Sequence, residues 1–68
     1  MSVIIEFDLE ENDTVKEEMM ELGIKINDTF KFETQISFEV ESTEDQLNSV
    51  KSIKGFKVIR PVTYYQAV

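Results

Sequence analysis

The residues best equipped for chemistry in this chain are its carboxylates. Glu6, Asp8, Glu10, Glu11, Asp13, Glu17, Glu18 and Glu21 crowd the first third of the sequence. Paired carboxylates can share acid and base roles or hold a divalent cation. Their spacing is not that of a calcium loop, and a run of glutamates on a helix is ordinarily a solvated face. Ser2, Ser37, Ser42, Ser49 and Ser52 are candidate nucleophiles, but the chain has no His to act as their base. A Ser–Lys pair would need a glycine-supported pocket, and both glycines stand where helices end. With no Cys, disulfides and thiol chemistry are excluded, and without Cys or His there is no structural zinc. The expectation is a protein that is not an enzyme, with no catalytic residue, no metal and no cofactor.

Tyr64 and Tyr65 invite comparison with sheet-based RNA binders, which stack bases on aromatics of the central strands beside basic residues. Here the aromatics of the central strands, Phe7 and Phe38, share the core parity, and the exposed positions are Glu6 and Glu39. Fourteen acidic residues against seven basic give a net charge of −7. That charge opposes both nucleic acid and anionic membrane surfaces as partners. No apolar run approaches the 18 residues of a membrane span. The N-terminus, Met1-Ser2-Val3-Ile4-Ile5-Glu6, lacks the basic start and long apolar stretch of a signal peptide. A cytoplasmic chain fits, as does a secreted or secretory-pathway domain from which a signal has been removed.

Hydrophobic period places these residues on six elements. Val3, Ile5, Phe7 and Leu9 alternate with polar or outward positions, which predicts a strand over Val3–Leu9. A helix is expected over Thr14–Leu22, capped by Asp13 or Thr14, with Val15, Met19 and Leu22 as its stripe and Gly23 as its C-cap. A second strand, Ile24–Phe32, puts Ile24, Ile26, Phe30 and Phe32 on one side and Lys25, Asn27, Thr29 and Lys31 on the other. Asp28 falls on the apolar parity, which predicts a bulge or an exposed end. Glu33-Thr34-Gln35 makes the turn into a third strand, Ile36–Glu41. A second helix over Glu44–Ile53 is capped by Ser42 or Thr43, with Asp45 or Gln46 at its third position and Leu47, Val50 and Ile53 as its stripe. A fourth strand, Phe56–Tyr64, contains Pro61, which cannot donate to a ladder and belongs at an edge.

The order strand, helix, strand, strand, helix, strand is that of a split βαβ sandwich, with the first and third strands central. Both helices should cover one face, over a core of Val3, Ile5, Phe7, Val15, Met19, Leu22, Ile24, Ile26, Phe30, Phe32, Ile36, Phe38, Val40, Leu47, Val50, Ile53, Phe56 and Ile59. Parity leaves Ile4, Glu6, Ser37, Glu39, Val58, Arg60, Val62 and Tyr64 on an open face, a polar and apolar mixture suited to binding protein. A chain this short buries only about 60% of its unfolded surface. Its core should supply no more than about 3–5 kcal/mol, so a partner that binds the folded form can contribute to its stability. The end of the chain, Tyr65-Gln66-Ala67-Val68, carries no charged side chain. It is either a frayed terminus or an extended peptide presented to a cleft.

Several segments together resemble a known family. Glu21-Leu22-Gly23-Ile24-Lys25-Ile26, Phe30, Ile36-Ser37-Phe38-Glu39-Val40, Glu44-Asp45-Gln46-Leu47 and Gly55-Phe56-Lys57-Val58-Ile59-Arg60-Pro61-Val62 are similar to the prodomains of subtilisin-like serine proteases and the related I9-type inhibitors. The run from Phe56 to Tyr64 resembles the fungal type most. The chain departs from the pattern at Thr34-Gln35, where a glycine usually stands, and Arg60-Pro61 replaces an acidic pair outside the fungal subtype. The resemblance implies an α+β, ferredoxin-like βαββαβ sandwich, a four-stranded antiparallel sheet with two helices on one face. It divides the chain into a domain over 1–63 and an inhibitory tail over 64–68. It implies an intramolecular chaperone and product-like competitive inhibitor of a cognate subtilisin-like protease, monomeric when free. Glu39, Val58, Arg60, Val62 and Tyr64 would face the protease, with acids such as Glu39 meeting helix N-termini. Val68, Ala67, Gln66 and Tyr65 would fill its first to fourth specificity pockets. The rival expectation is a small regulatory or oligomerisation module that binds protein through its open face.

Overall fold

A computed structural model describes residues 1–8 and 12–62. Six elements follow in the expected order: β1 (Ser2–Asp8), α1 (Asn12–Glu21), β2 (Lys25–Lys31), β3 (Gln35–Glu41), α2 (Glu44–Val50) and β4 (Phe56–Pro61). The strands form one antiparallel sheet in the order β2-β3-β1-β4. The chain therefore has the α+β, ferredoxin-like βαββαβ arrangement, with β1 and β3 central and Pro61 on an edge strand.

Three rows of cross-strand partners make the inner face. Ile26, Val40, Val3 and Pro61 form one, and Thr29, Phe38, Ile5 and Ile59 the next; Lys31, Ile36, Phe7 and Phe56 close the series. Val15 and Met19 of α1 and Leu47 and Val50 of α2 are buried in the same cluster, so both helices cover this face. Phe7 sits at its centre, edge-on to Phe38 and to Phe56, each with ring centroids 6.0 Å away. Phe56 and Ile59 lie three residues apart, and strict alternation would put them on opposite faces. A bulge resolves this: Glu6 pairs with Val58 but Phe7 pairs with Phe56, leaving Lys57 as the extra residue.

The same device on β2 overturns part of the expected core. Ile26 pairs with Val40, but the next pair is Asp28 with Glu39, so Asn27 is the extra residue of a second bulge. Beyond it every side chain changes face. Thr29 and Lys31 turn to the helix side, opposite Phe38 and Ile36, while Phe30 turns outward opposite Ser37. Phe30 is 40% exposed and Phe32 55%, so neither belongs to the core. Leu22, Ile26, Ile53, Phe56 and Ile59 are only partly buried, packed against its rim.

Element ends also differ from expectation. Helix α1 begins at Asn12, two residues before Thr14, so Thr14 lies inside its first turn and not at its start. Helix α2 ends at Val50 because its last turn tightens: Ser52 N–H donates to Ser49 and Ile53 N–H to Val50, each to the carbonyl three residues back. Its start is a full capping box. Gln46 N–H donates to Thr43 Oγ1 at 3.2 Å, and Thr43 N–H donates to Gln46 Oε1 at 2.9 Å. Gln46 Nε2 donates in addition to the Leu22 carbonyl at 3.0 Å, one of the orphan acceptors at the end of α1. Gly23 ends that helix at φ 83°, where a Cβ would meet Gln46 Nε2 at 3.2 Å.

Phe38→Ala should remove about 3–5 kcal/mol, on the scale of the whole stability of such a domain, and leave the chain unfolded at 25 °C by circular dichroism. Phe32→Ala should stay within about 0.5 kcal/mol of the parent in urea denaturation. A large loss from Phe32→Ala would restore Phe32 to the core.

Candidate functional site

The uncovered side of the sheet is built from the alternate residues of the same strands. Its central row runs Phe30, Ser37, Glu6, Val58, and the row beside it runs Asp28, Glu39, Ile4, Arg60. Phe30, Phe32 and Val58 are among the large apolar side chains most exposed on the molecule, Val58 at 40%. Aromatic and aliphatic groups next to charges on one flat surface are the composition of a protein-binding face.

Glu6 is the least expected feature of this surface. An acidic residue on an alternating strand reads as solvated, yet Glu6 is only 8% exposed. Two neighbours make its burial tolerable. Arg60 Nε lies 3.1 Å from one carboxylate oxygen, and Gln35 Nε2 donates to the other. Arg60 is thereby committed to the chain's own carboxylate and is less available to a partner than parity implies. Beside Glu6, the Ser37 hydroxyl is buried and, among the described residues, has no hydrogen-bond partner. An unsatisfied buried hydroxyl costs about 1–3 kcal/mol relative to a satisfied one.

The other acids of this face divide by partner. Asp8 meets Lys57 at 3.5 Å, an exposed pair worth little. Glu41 accepts from the Met1 ammonium at 2.8 Å and from the Ser2 hydroxyl. The hydrogen bond from that ammonium, then the one from Ser2, hold the Glu41 carboxyl below its ordinary value of 4.5. Asp28 and Glu39 stand directly opposite each other, and among the described residues neither has an ion-pair partner.

Of the residues expected to face a protease, Glu39 is half-buried, Val58 exposed, Arg60 tied to Glu6, and Val62 half-buried just past β4. Tyr64 and the tail residues Tyr65, Gln66, Ala67 and Val68 lie outside the described residues, as do Leu9, Glu10 and Glu11. Phe30 and Phe32 join the face although parity assigned them to the core. The one signal for them was Asp28, a charge in an apolar register, which follows directly on the bulge at Asn27.

On the helix side a shallow groove of about 560 Å³ runs between α1 and β2, lined by Lys16, Met20, Ile26 and Thr29 among others. Among the described residues no group of three or more acids is placed to hold a metal ion, and no helix is long and apolar enough to cross a membrane.

Two substitutions should move stability in opposite directions. Ser37→Ala should raise the urea midpoint by an amount equivalent to about 1 kcal/mol, because it deletes an unpaired buried hydroxyl. Arg60→Ala should lower it by about 1–2 kcal/mol, because Glu6 stays buried without its cation. Equal effects of one sign would contradict this assignment of partners. Acid should act through Glu41. Its folded-state value is lowered, so its contribution is complete above the usual 4.5 and fades as pH falls through the folded value. The stability difference between the parent and Glu41→Gln should therefore shrink below pH 4.5; a difference that stayed constant to pH 2 would remove Glu41 from the account.

No known family model matches the chain, and no curated protein or solved structure shows detectable similarity to it.

Proposed function

We propose that this chain is a propeptide-like intramolecular chaperone and competitive, product-like inhibitor of a subtilisin-like serine protease, docking through the uncovered face of its sheet. The observation that supports this most is the contrast between that face and the sheet's two edges. The face presents Phe30, Phe32 and Val58 among acids. Both edges are blunted against pairing with another strand. The β2 edge is interrupted by the bulge at Asn27, and β4 carries the bulge at Lys57 together with Pro61. Blunted edges favour recognition through a face over edge-to-edge strand pairing.

In this reading the face supplies most of an interface of roughly 800 Å² per partner. Glu39 and Val58 contribute to it directly, with Val62, just past β4, and Tyr64 as further contacts. Arg60 acts indirectly, by neutralising Glu6 and keeping the surface flat. Residues 65–68 then enter the substrate cleft as a cleaved product would, with Val68 in the first specificity pocket. The domain over 1–63 docks and the tail over 64–68 blocks. A template role fits a chain of this size, because a protease that binds only the folded form adds its binding free energy to a marginal stability. The protein needs no cofactor for this, is monomeric when free, and acts in the secretory pathway or outside the cell if it is a prodomain whose signal has been removed, or in the cytoplasm if it stands free.

The second reading is a regulatory or oligomerisation module using the same face. Asp28 and Glu39, which among the described residues have no ion-pair partner, oppose its pairing with a copy of itself.

Titration into an active subtilisin-type protease, followed with a chromogenic peptide substrate, should show competitive inhibition. Deleting Tyr65–Val68 should weaken inhibition by at least about tenfold, the equivalent of 1.4 kcal/mol, with the circular dichroism spectrum unchanged. Equal inhibition by the truncated chain would remove the tail from the mechanism. A folded chain with no inhibition, self-associating on a sizing column, would favour the regulatory module.

A further inference from the structure

We infer that the bulge at Asn27 converts β2 into the recognition strand of the open face, with Phe30 and Phe32 as anchors that seat it on a basic, apolar surface of a protein partner. The inference rests on the open-face docking proposed above and specifies its chemistry.

The bulge has an identifiable consequence. Without the extra residue, Phe30 and Phe32 would keep the parity of Ile26 and lie on the helix side, above the groove now bordered by Lys16, Met20, Thr29 and Lys31. An apolar pair there would extend the core under α1. The chain instead places Thr29 and Lys31, both exposed, on the helix side, and leaves Phe30 on the outer side 40% exposed and Phe32, the residue after β2 whose N–H donates to the Gln35 carbonyl, 55% exposed. They stand two residues apart, roughly 6–7 Å along the strand. Buried aromatic anchors of this kind dominate the energetics of protein interfaces.

Charge selects the partner. Glu6, Asp8 and Glu41 each have a cation of this chain beside them. Among the described residues Asp28 and Glu39 do not, and they face each other across β2 and β3 one row from Phe30. Like charges directly opposite on a sheet are unfavourable. A Lys or Arg from the partner relieves that repulsion while an apolar cleft takes the two rings. Two copies placed face to face would bring further carboxylates to the same spot, so a second copy is the wrong occupant. Nucleic acid lacks the cation.

The test uses the full chain, labelled with nitrogen-15, and an amphipathic helical peptide of leucine and lysine as the simplest basic, apolar surface. Saturable binding is expected, with amide shifts centred on Asp28, Phe30, Phe32, Ser37 and Glu39 and weakened by added salt. The double variant Phe30→Thr/Phe32→Thr should bind at least about tenfold more weakly. Should that variant fail to fold, Asp28→Lys/Glu39→Lys should instead lose the lysine peptide and gain its glutamate counterpart. The inference is overturned if the peptide does not bind, if the folded double variant binds equally well, or if the shifts map to the α1–β2 groove. Dimerisation of the free chain through Phe30 and Phe32 would also overturn it. Protease inhibition is read separately. Peptide binding without inhibition leaves the recognition strand standing and removes the protease, whereas inhibition undiminished in the double variant does the reverse.

Discussion

Everything on the outer surface depends on one constraint: a strand's side chains alternate with a period of two, so a single extra residue exchanges its faces. The four-stranded sheet contains two such residues, Asn27 and Lys57, one on each edge strand. On β4 the extra residue is needed for packing, because it lets Phe56 and Ile59 both reach the core. On β2 it works against packing, because it turns two phenylalanines away from the core. The central strands carry no bulge in their mutual ladder, where Ser2 through Asp8 pair in unbroken register with Glu41 through Gln35. The inner framework is thus regular, and the variation that shapes the face sits at its margins.

The buried Glu6 shows how closely the two sides of this sheet constrain each other. Its neighbours along β1, Ile5 and Phe7, are fully buried on the helix side, which fixes the backbone that carries the carboxylate. Ser37 is small enough to let Phe30 and Glu6 stand in one row, but its hydroxyl is left unpaired. Arg60 reaches across from the edge to neutralise the charge, and Gln35 completes the carboxylate's hydrogen bonding from the hairpin. A polar cluster of this kind, largely satisfied, can fix the register of three strands at once.

Much of this was legible from the residues. The strict alternation of Ile36, Phe38 and Val40, and of Val3, Ile5 and Phe7, located the central strands and their inner faces. Pro61 identified an edge, and Thr43 with Gln46 marked the start of α2. The failures have physical causes. Simple alternation runs through Asp28 into Phe30 and Phe32, and Asp28 itself is the one mark of the break, because a bulge without glycine leaves no other sign in a sequence. Glu6 was read as solvated because its partners, Gln35 and Arg60, lie 29 and 54 positions away. The start of α1 was placed at Thr14 on a capping pattern that matched by residue type, but the helix had already begun. Whether the face binds a protease lies beyond periodicity altogether, since that depends on the shape of another molecule.

Gln46 carries a consequence of a different kind. Its amide holds the first turn of α2 with one end and the Leu22 carbonyl just past α1 with the other, and Gly23 must remain glycine to leave room for it. The chain reads as a loose duplication of two strand–helix–strand halves whose strands interleave in one sheet, and this side chain adds a link between their two helices. A residue that answers to two helices cannot drift to suit one of them. Neither half, cut out alone, would retain both of its helix ends satisfied. A substitution at Gln46 or Gly23 therefore disturbs both helices at once, on top of the sheet that already joins the two halves.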